Sequence, residues 1–176
     1  MLSWTQTHLE TPVATEHRIL RCLGMVSTRE YPRYAIVGVG AVVMKNSKVL
    51  LIKRAYPPAE GMWAIPGGVV EAGERLAEAV VRELEEETGL RGRPIGVIYV
   101  DEVIVREGPS VRYHYVLLDF LVVDVVGSLR PGGDAAAVSW FDLSEIPERD
   151  DVTLATKRLA KRLIDLKGRY TVIPLP

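Results

Sequence analysis

The segment from Glu74 to Gly89 constrains the fold most, because it combines a helical apolar pattern with an unusual density of glutamates. Its apolar residues recur at the spacing of one helix face: Ala77, Val80, Val81 and Leu84. Gly89 stands where a left-handed residue typically ends a helix. The pattern therefore predicts an amphipathic helix from about Glu74 to Thr88 that packs one face into a core.

Three glutamates share the side of this helix next to the apolar stripe. At about 100° per residue, Glu83, Glu86 and Glu87 project toward a common point, whereas Glu85 projects elsewhere. Like charges at these spacings repel by roughly 0.2–0.5 kcal/mol per pair. A hard divalent cation would reverse these terms, and oxygen ligands without His or Cys favour Mg²⁺ or Mn²⁺. For the helix considered by itself, the alternative is a solvated acidic face.

The residues around the glutamates follow a fixed spacing. Gly68 is followed after five residues by Glu74, and after seven more by Arg82-Glu83-Leu84; Glu86-Glu87 and Gly89-Leu90 then follow, each after one further residue. On these residues the chain resembles the Nudix hydrolase family, whose signature has the same residue types at the same spacing. All nine specified positions of residues 68–90 match, and a looser resemblance extends over about 35–166.

The resemblance implies a set of metal ligands and a reaction. The expected ligands are the backbone carbonyl of Gly67 or Gly68 together with Glu83, Glu86 and Glu87. Glu86 is either a further ligand or the base that activates water, and Glu87 also counts among the catalytic residues. The implied reaction is metal-dependent hydrolysis of a phosphoanhydride by water. A plain turn after Pro66 is the alternative for the glycines.

Two other positions of the motif have implied supporting roles. Arg82 resembles a catalytic-site residue that orients the glutamates through salt bridges; an ordinary ion pair with Glu86 is the alternative. Glu74 is similar to a residue of the family that supports the metal ligands without binding the metal.

The substrate is less sharply indicated. Five residues outside the motif are candidates for substrate binding: Arg54, Trp63, Tyr99, His114 and Asp134. Each has an ordinary structural alternative, such as a core position for Trp63. The region before Trp140 resembles ADP-ribose pyrophosphatase-like members, although Ala137 stands where they often carry a glutamate. ADP-ribose or a related nucleoside diphosphate sugar is therefore ranked first, ahead of a (deoxy)nucleoside triphosphate, and a non-catalytic nucleotide-binding module is the third reading.

Alternating strand and turn patterns surround the glutamate helix. Strands are predicted at about 36–43, 49–54, 95–105, 111–126 and 138–141, with a second helix at about 154–166. This order indicates a mixed α/β fold. The resemblance makes it an α/β/α sandwich, a mixed sheet with the catalytic helix on one side and a C-terminal helix. We predict a domain over 35–170, an N-terminal extension over 1–34 that includes a helix near 14–23, and a tail over 171–176.

Charge and cysteine content exclude several partner classes. Lys plus Arg (22) nearly balance Asp plus Glu (23), so nothing favours nucleic acid or an anionic membrane surface. The single cysteine, Cys22, predicts a reduced cytoplasmic location, and no segment has the length of a membrane span. The expected partner is a small nucleotide substrate, and the resemblance adds homodimerisation as an expectation. Met25 raises the further expectation that the residues before it are dispensable.

Overall fold

The computed structural model describes residues 29–174. Contacts divide them into two units: residues 29–35 with 104–114, and residues 36–103 with 115–174. The predicted helix near 14–23 and the expectation about Met25 lie outside the described residues.

Seven strands and two α-helices follow one another within residues 29–174. In order they are β1 (Ile36–Lys45), β2 (Lys48–Arg54), β3 (Trp63–Ala64), β4 (Gly67–Val69), α1 (Leu76–Thr88), β5 (Leu90–Glu107), β6 (Ser110–Gly127), β7 (Ala135–Asp142) and α2 (Leu154–Leu166), with a 3-10 turn at Ile146–Glu148. The mixed α/β prediction is confirmed. Neither of the two helices described has the length and apolar character needed to cross a membrane.

The sheet of the larger unit is built around β1. Its strand order is β3-β2-β1-β6-β5, with β4 also pairing to β1 and β7 to β2. β1 runs parallel to β6 and antiparallel to β2 and β4. In this register Gly40 of β1 lies opposite both Asp119 of β6 and Gly67 of β4. Three residues that are distant in sequence therefore form one row across the sheet.

Helix α1 covers one face of this sheet. Ala79, Val80 and Leu84 are fully buried, and they pack with alternate residues of β1 and with Phe120. The helix begins two residues later than the sequence predicts, because Arg75 is its N-cap and its backbone N–H donates to the Glu78 carboxylate at 3.0 Å. It ends at Gly89, whose φ of 69° is left-handed, as predicted.

Helix α2 covers the opposite face. Its range agrees with the prediction, and Thr153 caps it by accepting a hydrogen bond from the Thr156 N–H. Leu159 and Leu163 pack against Val42, the residue that lies between the α1-facing positions of β1. Because strand side chains alternate between faces, β1 contributes to both layers. The sandwich predicted from the resemblance, with one helix on each side of the sheet, is confirmed.

The buried stripe of α1 supplies a prediction about stability. Leu84 is completely buried, so Leu84→Ala should lower the free energy of unfolding by about 2–5 kcal/mol through lost contacts and a residual cavity. The matched control is Leu154→Ala on α2, whose side chain is 66% exposed, and it should change stability by less than about 0.5 kcal/mol. Urea unfolding measures both. Equal effects of the two substitutions would contradict the packing described here.

Candidate active site

The acidic flank of α1 meets a glycine backbone at β4. The Gly67 N–H donates a hydrogen bond of 2.8 Å to Oε2 of Glu87. At the next residue, a Cβ on Gly68 would overlap the carboxylate of Glu83. The absence of a side chain at Gly68 thus allows Glu83 to approach the strand closely. Two of the predicted ligands, Glu83 and Glu87, lie beside the two predicted glycines.

Glu87 is a buried carboxylate whose pKa is strongly perturbed. It is only 3% exposed, and burial raises its pKa to about 8. The hydrogen bond from Gly67 and the charge of Arg54 lower the pKa, while the charges of Glu83 and Asp134 raise it. A buried carboxylate next to a second one is an environment that a cation would stabilise.

Arg82 connects the motif residues to each other. Its Nε and Nη2 donate to the two oxygens of Glu74 at 2.8 and 2.9 Å, and Nη1 donates to Glu83 at 2.7 Å. Nη2 also reaches the Val69 carbonyl at 3.2 Å. The guanidinium therefore ties the start of the motif, β4 and one helix glutamate together. These contacts support the predicted orienting role of Arg82 and the structural role of Glu74.

Glu86 is the most exposed of the three helix glutamates that the sequence predicts to converge. Its side chain is 55% exposed and lies 3.5 Å from Nη1 of Arg82. Within residues 29–174, no three acidic, His or Cys side chains lie close enough together to hold an ion. The same Nη1 atom binds Glu83 at 2.7 Å, so both carboxylates approach one guanidinium nitrogen. Convergence of all three glutamates on one ion stays a prediction.

Two of the predicted substrate residues lie close to Glu87. Arg54 is the last residue of β2, and its Nε donates to the Pro58 carbonyl at 2.8 Å. Asp134 is in the segment before β7, where its carbonyl accepts a hydrogen bond from the Ala55 N–H. Both charges act on the pKa of Glu87. The fold thus brings a cation and an acid from distant segments to the buried glutamate.

The other three candidates have different surroundings. Trp63 packs edge-on against Phe141, with ring centroids 4.7 Å apart, and joins a core cluster with Leu51 and Val152. Tyr99 is half-buried on the α2 side of the sheet. His114 belongs to the smaller unit, whereas α1 belongs to the larger one. Their roles in substrate binding stay predictions.

Sequence reasoning did not single out Asp119. It is 5% exposed, and burial, followed by the charge of Asp101, raises its pKa to about 7. One signal was available in the sequence, because Asp119 is the only polar residue between Val116 and Val123. A lone acid within an apolar strand is unusual unless it has a partner or a function.

The segment after β6 also contributes to the site. The Arg130 N–H donates to the Thr88 carbonyl at 2.9 Å, and the Gly132 N–H donates to the Glu87 carbonyl at 3.2 Å. These contacts satisfy carbonyls at the C-terminal end of α1. They also attach the segment that carries Asp134 to the helix that carries the glutamates.

The comparisons with known proteins agree with this geometry. A family profile described as the NUDIX domain matches residues 35–163. The chain belongs to the Nudix family. A MutT Nudix hydrolase from Burkholderia pseudomallei has the same fold, with a TM-score of 0.65 and 31% identity over 74% of this chain and 98% of that one. Membership supports a hydrolase that acts on phosphoanhydrides.

Two curated relatives are named for different substrates. An ADP-ribose pyrophosphatase from Methanocaldococcus jannaschii is 36% identical over 129 residues, which are 70% of this chain and 75% of the relative. The human 8-oxo-dGDP phosphatase NUDT18 is 32% identical over 126 residues, 69% of this chain and 36% of the relative. Nudix membership is thus established, while the substrate is a separate question.

The Arg82–Glu74 pair leads to a prediction about acid stability. Hydrogen bonds from Arg82 lower the pKa of Glu74 to about 2 from 4.5, so the charged form stabilises the fold above about pH 4.5. That contribution is lost as the pH falls toward 2. Glu74→Gln should therefore lower Tm at pH 7, and the difference from wild type should shrink below pH 4.5.

The exposed residue Glu60 provides the matched control, because Glu60→Gln should leave Tm close to wild type at every pH. Thermal unfolding monitored by circular dichroism between pH 7 and 3 measures both variants. A Glu74→Gln difference that stays constant over this range would show that the ion pair does not titrate as described.

Proposed function

We propose that this Nudix protein hydrolyses a phosphoanhydride bond in a nucleoside diphosphate linked to another group, with ADP-ribose or a related nucleoside diphosphate sugar as its leading substrate. The observation that carries the proposal is the contact of Glu83 and Glu87 with the Gly67-Gly68 backbone, organised by Arg82. The 36% identity to an ADP-ribose pyrophosphatase supports the choice of substrate. Water would attack one phosphorus, giving AMP and ribose 5-phosphate.

Mg²⁺ or Mn²⁺ is the proposed cofactor. The donors fit a hard cation, because they are oxygen atoms only and because Glu87 is buried beside a second carboxylate. Glu83, Glu87 and a carbonyl of Gly67 or Gly68 would hold the ion, with Glu86 as a further ligand if its side chain turns inward. When bound, the cation would neutralise phosphate oxygens and lower the pKa of the attacking water.

The chain's own residues would position these groups. The Gly67 N–H orients the Glu87 carboxylate, and Arg82 holds Glu83 against β4. Glu86 is exposed and close to Arg82, so it is the glutamate with room to accept a proton from water if it is not a ligand. Arg54 brings a positive charge near Glu87, where it can pair with a phosphate oxygen.

A second substrate class has its own support. Relatives named as 8-oxo-dGDP phosphatase, such as NUDT18, match most of this chain. These relatives support the alternative proposal, in which the substrate is a nucleotide of the cellular pool, including a (deoxy)nucleoside triphosphate. Products separate the two classes, because ADP-ribose yields ribose 5-phosphate whereas a triphosphate cleaved in this way yields pyrophosphate. The small nucleotide partner, the cytoplasmic location and homodimerisation stay predictions from the sequence.

Substitutions of adjacent glutamates in α1 test the proposed activity. With Mg²⁺ and ADP-ribose, Glu86→Gln and Glu87→Gln should each lower kcat/KM by about 100-fold or more, because a ligand or base is lost. Glu85→Gln should stay within about twofold, since Glu85 pairs with Arg91 on the outer surface. Chromatographic detection of AMP measures the rates. Near-full turnover in both the Glu86 and Glu87 variants would refute the assignment.

A second prediction concerns metal binding, measured in the absence of substrate. Millimolar Mn²⁺ or Mg²⁺ should raise Tm of the wild type, because an ion that binds only the folded state stabilises it. Glu83→Gln and Glu87→Gln should remove most of this shift, whereas Glu85→Gln should keep it. Differential scanning fluorimetry with and without chelator is the measurement. An equal shift in all four proteins would place the ion elsewhere.

A further inference from the structure

Helix α2 carries a buried hydroxyl that has no role in the site described so far. Thr156 is 4% exposed and lies in the first turn of α2, whose other buried residues, Leu159, Ala160 and Leu163, are apolar. A valine has nearly the same shape and would avoid the burial of a polar group at this position. Buried polar groups are nearly always hydrogen-bonded in folded proteins. The partners of the Thr156 hydroxyl therefore indicate why a polar residue stands here.

The Thr156 hydroxyl bonds to a backbone group outside its own helix. Its oxygen accepts a hydrogen bond of 3.3 Å from the Ile65 N–H. Ile65 belongs to segment 63–67, which runs from β3 to the first residue of β4. The same oxygen accepts a hydrogen bond of 3.0 Å from the hydroxyl of Thr153, the cap of α2. A side chain of α2 thus holds the backbone that leads into the glycines of the candidate site.

Two backbone hydrogen bonds attach segment 63–67 to the start of α2 as well. The Trp63 N–H donates to the Asp151 carbonyl at 2.7 Å, and the Trp63 carbonyl accepts from the Thr153 N–H at 2.9 Å. The Thr156 contact is the third hydrogen bond of this set and the one closest to the glycines. The first part of the segment is therefore anchored to the N-terminal end of α2.

The second part of the segment is anchored to β1 and α1. The Pro66 carbonyl accepts a hydrogen bond of 2.8 Å from the Ala41 N–H of β1, and the Gly67 N–H donates to Glu87 at 2.8 Å. Because Pro66 has no N–H, the backbone donors on either side of it are those of Ile65 and Gly67. The first of these donors bonds to α2 and the second bonds to α1. The segment is therefore held between two helices that cover opposite faces of the sheet.

The proline between these two donors limits how the segment can respond to a change at α2. Its ring fixes φ at about −65°, and the residue before a proline is confined to extended conformations. Few free torsions thus separate the Ile65 N–H from the Gly67 N–H. A displacement of Ile65 away from Thr156 would therefore move the Gly67 amide relative to the Glu87 carboxylate.

We infer that Thr156 is a positioning residue for the metal-binding backbone. Its hydrogen bond with the Ile65 N–H fixes the Gly67-Gly68 backbone, and through the Gly67 N–H it fixes the Glu87 carboxylate, in the geometry that binds the cation. This inference rests on the proposed function, because it names a residue that holds the metal ligands of that site in place. Thr156 acts through the backbone and takes no part in the bond cleavage.

The Gly67 amide reports on this positioning in the metal-free protein. In Thr156→Val the Ile65 N–H loses its acceptor while the side chain keeps its shape. The ¹⁵N–¹H resonance of Gly67 should therefore shift, and exchange of this amide with deuterated water should become about tenfold faster or more. Thr156→Ser keeps the accepting oxygen, so both properties should stay close to wild type. An unchanged Gly67 resonance and exchange rate in Thr156→Val would overturn the inference.

Binding of Mn²⁺ alone measures the consequence for the site. Thr156→Val should raise the Kd for Mn²⁺ about tenfold, because groups that orient metal ligands affect affinity on that scale. Thr156→Ser should stay within about threefold of wild type, since its hydroxyl can accept the same hydrogen bond. Electron paramagnetic resonance of the free ion gives Kd without substrate or turnover. A Kd that does not change in Thr156→Val would contradict the positioning role.

The matched control is Val122→Ala, which removes buried volume from another part of the core. Val122 is 3% exposed and belongs to the cluster beneath α1, which among the described residues does not include segment 63–67. The substitution should lower Tm through lost packing, but it should leave the Gly67 resonance and the Kd for Mn²⁺ close to wild type. An equal rise in Kd in Val122→Ala and Thr156→Val would overturn the inference, because general destabilisation would then account for it.

These measurements separate the inference from the proposed function. The Gly67 resonance and its exchange rate are measured in the metal-free protein and do not depend on hydrolysis. The expected Gly67 changes without turnover of ADP-ribose by the wild type would reject only the proposed hydrolysis. Wild-type turnover that Thr156→Val keeps in full at limiting Mn²⁺ would reject only the positioning role of Thr156.

Discussion

The hydrogen bond between the Gly67 backbone and the buried Glu87 carboxylate is the contact on which the site depends. It forms because the apolar stripe of α1 packs on β1 and β6 and so sets the rotation of the helix. The neighbouring flank of α1 must then face β4, where Gly68 has no side chain to keep Glu83 away. Arg82 adds a second connection, from Glu83 to Glu74. Core packing thus determines where the charges of the site lie.

β1 contributes side chains to both faces of the sheet. Its α1 side carries Val39, Ala41 and Val43, while Gly40 on the other side makes room for Asp119. The same glycine pairs with Gly67, next to the glutamates. β1 therefore contributes to the packing of both helices on the sheet.

Much of the fold could be predicted from the chain's periodicity. α2 and the two ends of β2 agree closely with the prediction, because strong apolar patterns and capping residues mark them. β5 and β6 are longer than predicted, since pairing extends strands into residues without a clear alternating pattern. The later start of α1 follows from the hydrogen bond between the Arg75 N–H and Glu78, which a helical-wheel projection does not include.

Only some of the residues around the site could be predicted from the sequence. The motif spacing located Glu83, Glu87 and the glycines, and Arg54 and Asp134 prove to act on Glu87. The high exposure of Glu86 could not be predicted, because the choice of side-chain rotamer depends on neighbouring groups such as Arg82. Asp119 was not singled out, because its burial and its raised pKa depend on long-range packing.

The sequence by itself determined the family, the helix that carries the glutamates and the residue types available for a cation, because these depend on local spacing along the chain. Tertiary structure decided which of those residues meet. Gly40, Gly67 and Asp119 form one row only because three strands pair in a particular register. The pKa values of Glu87 and Asp119 rise mainly because packing removes water from them, and further because the fold brings other acids near them. Register and burial are long-range properties, and no local pattern of residues specifies them.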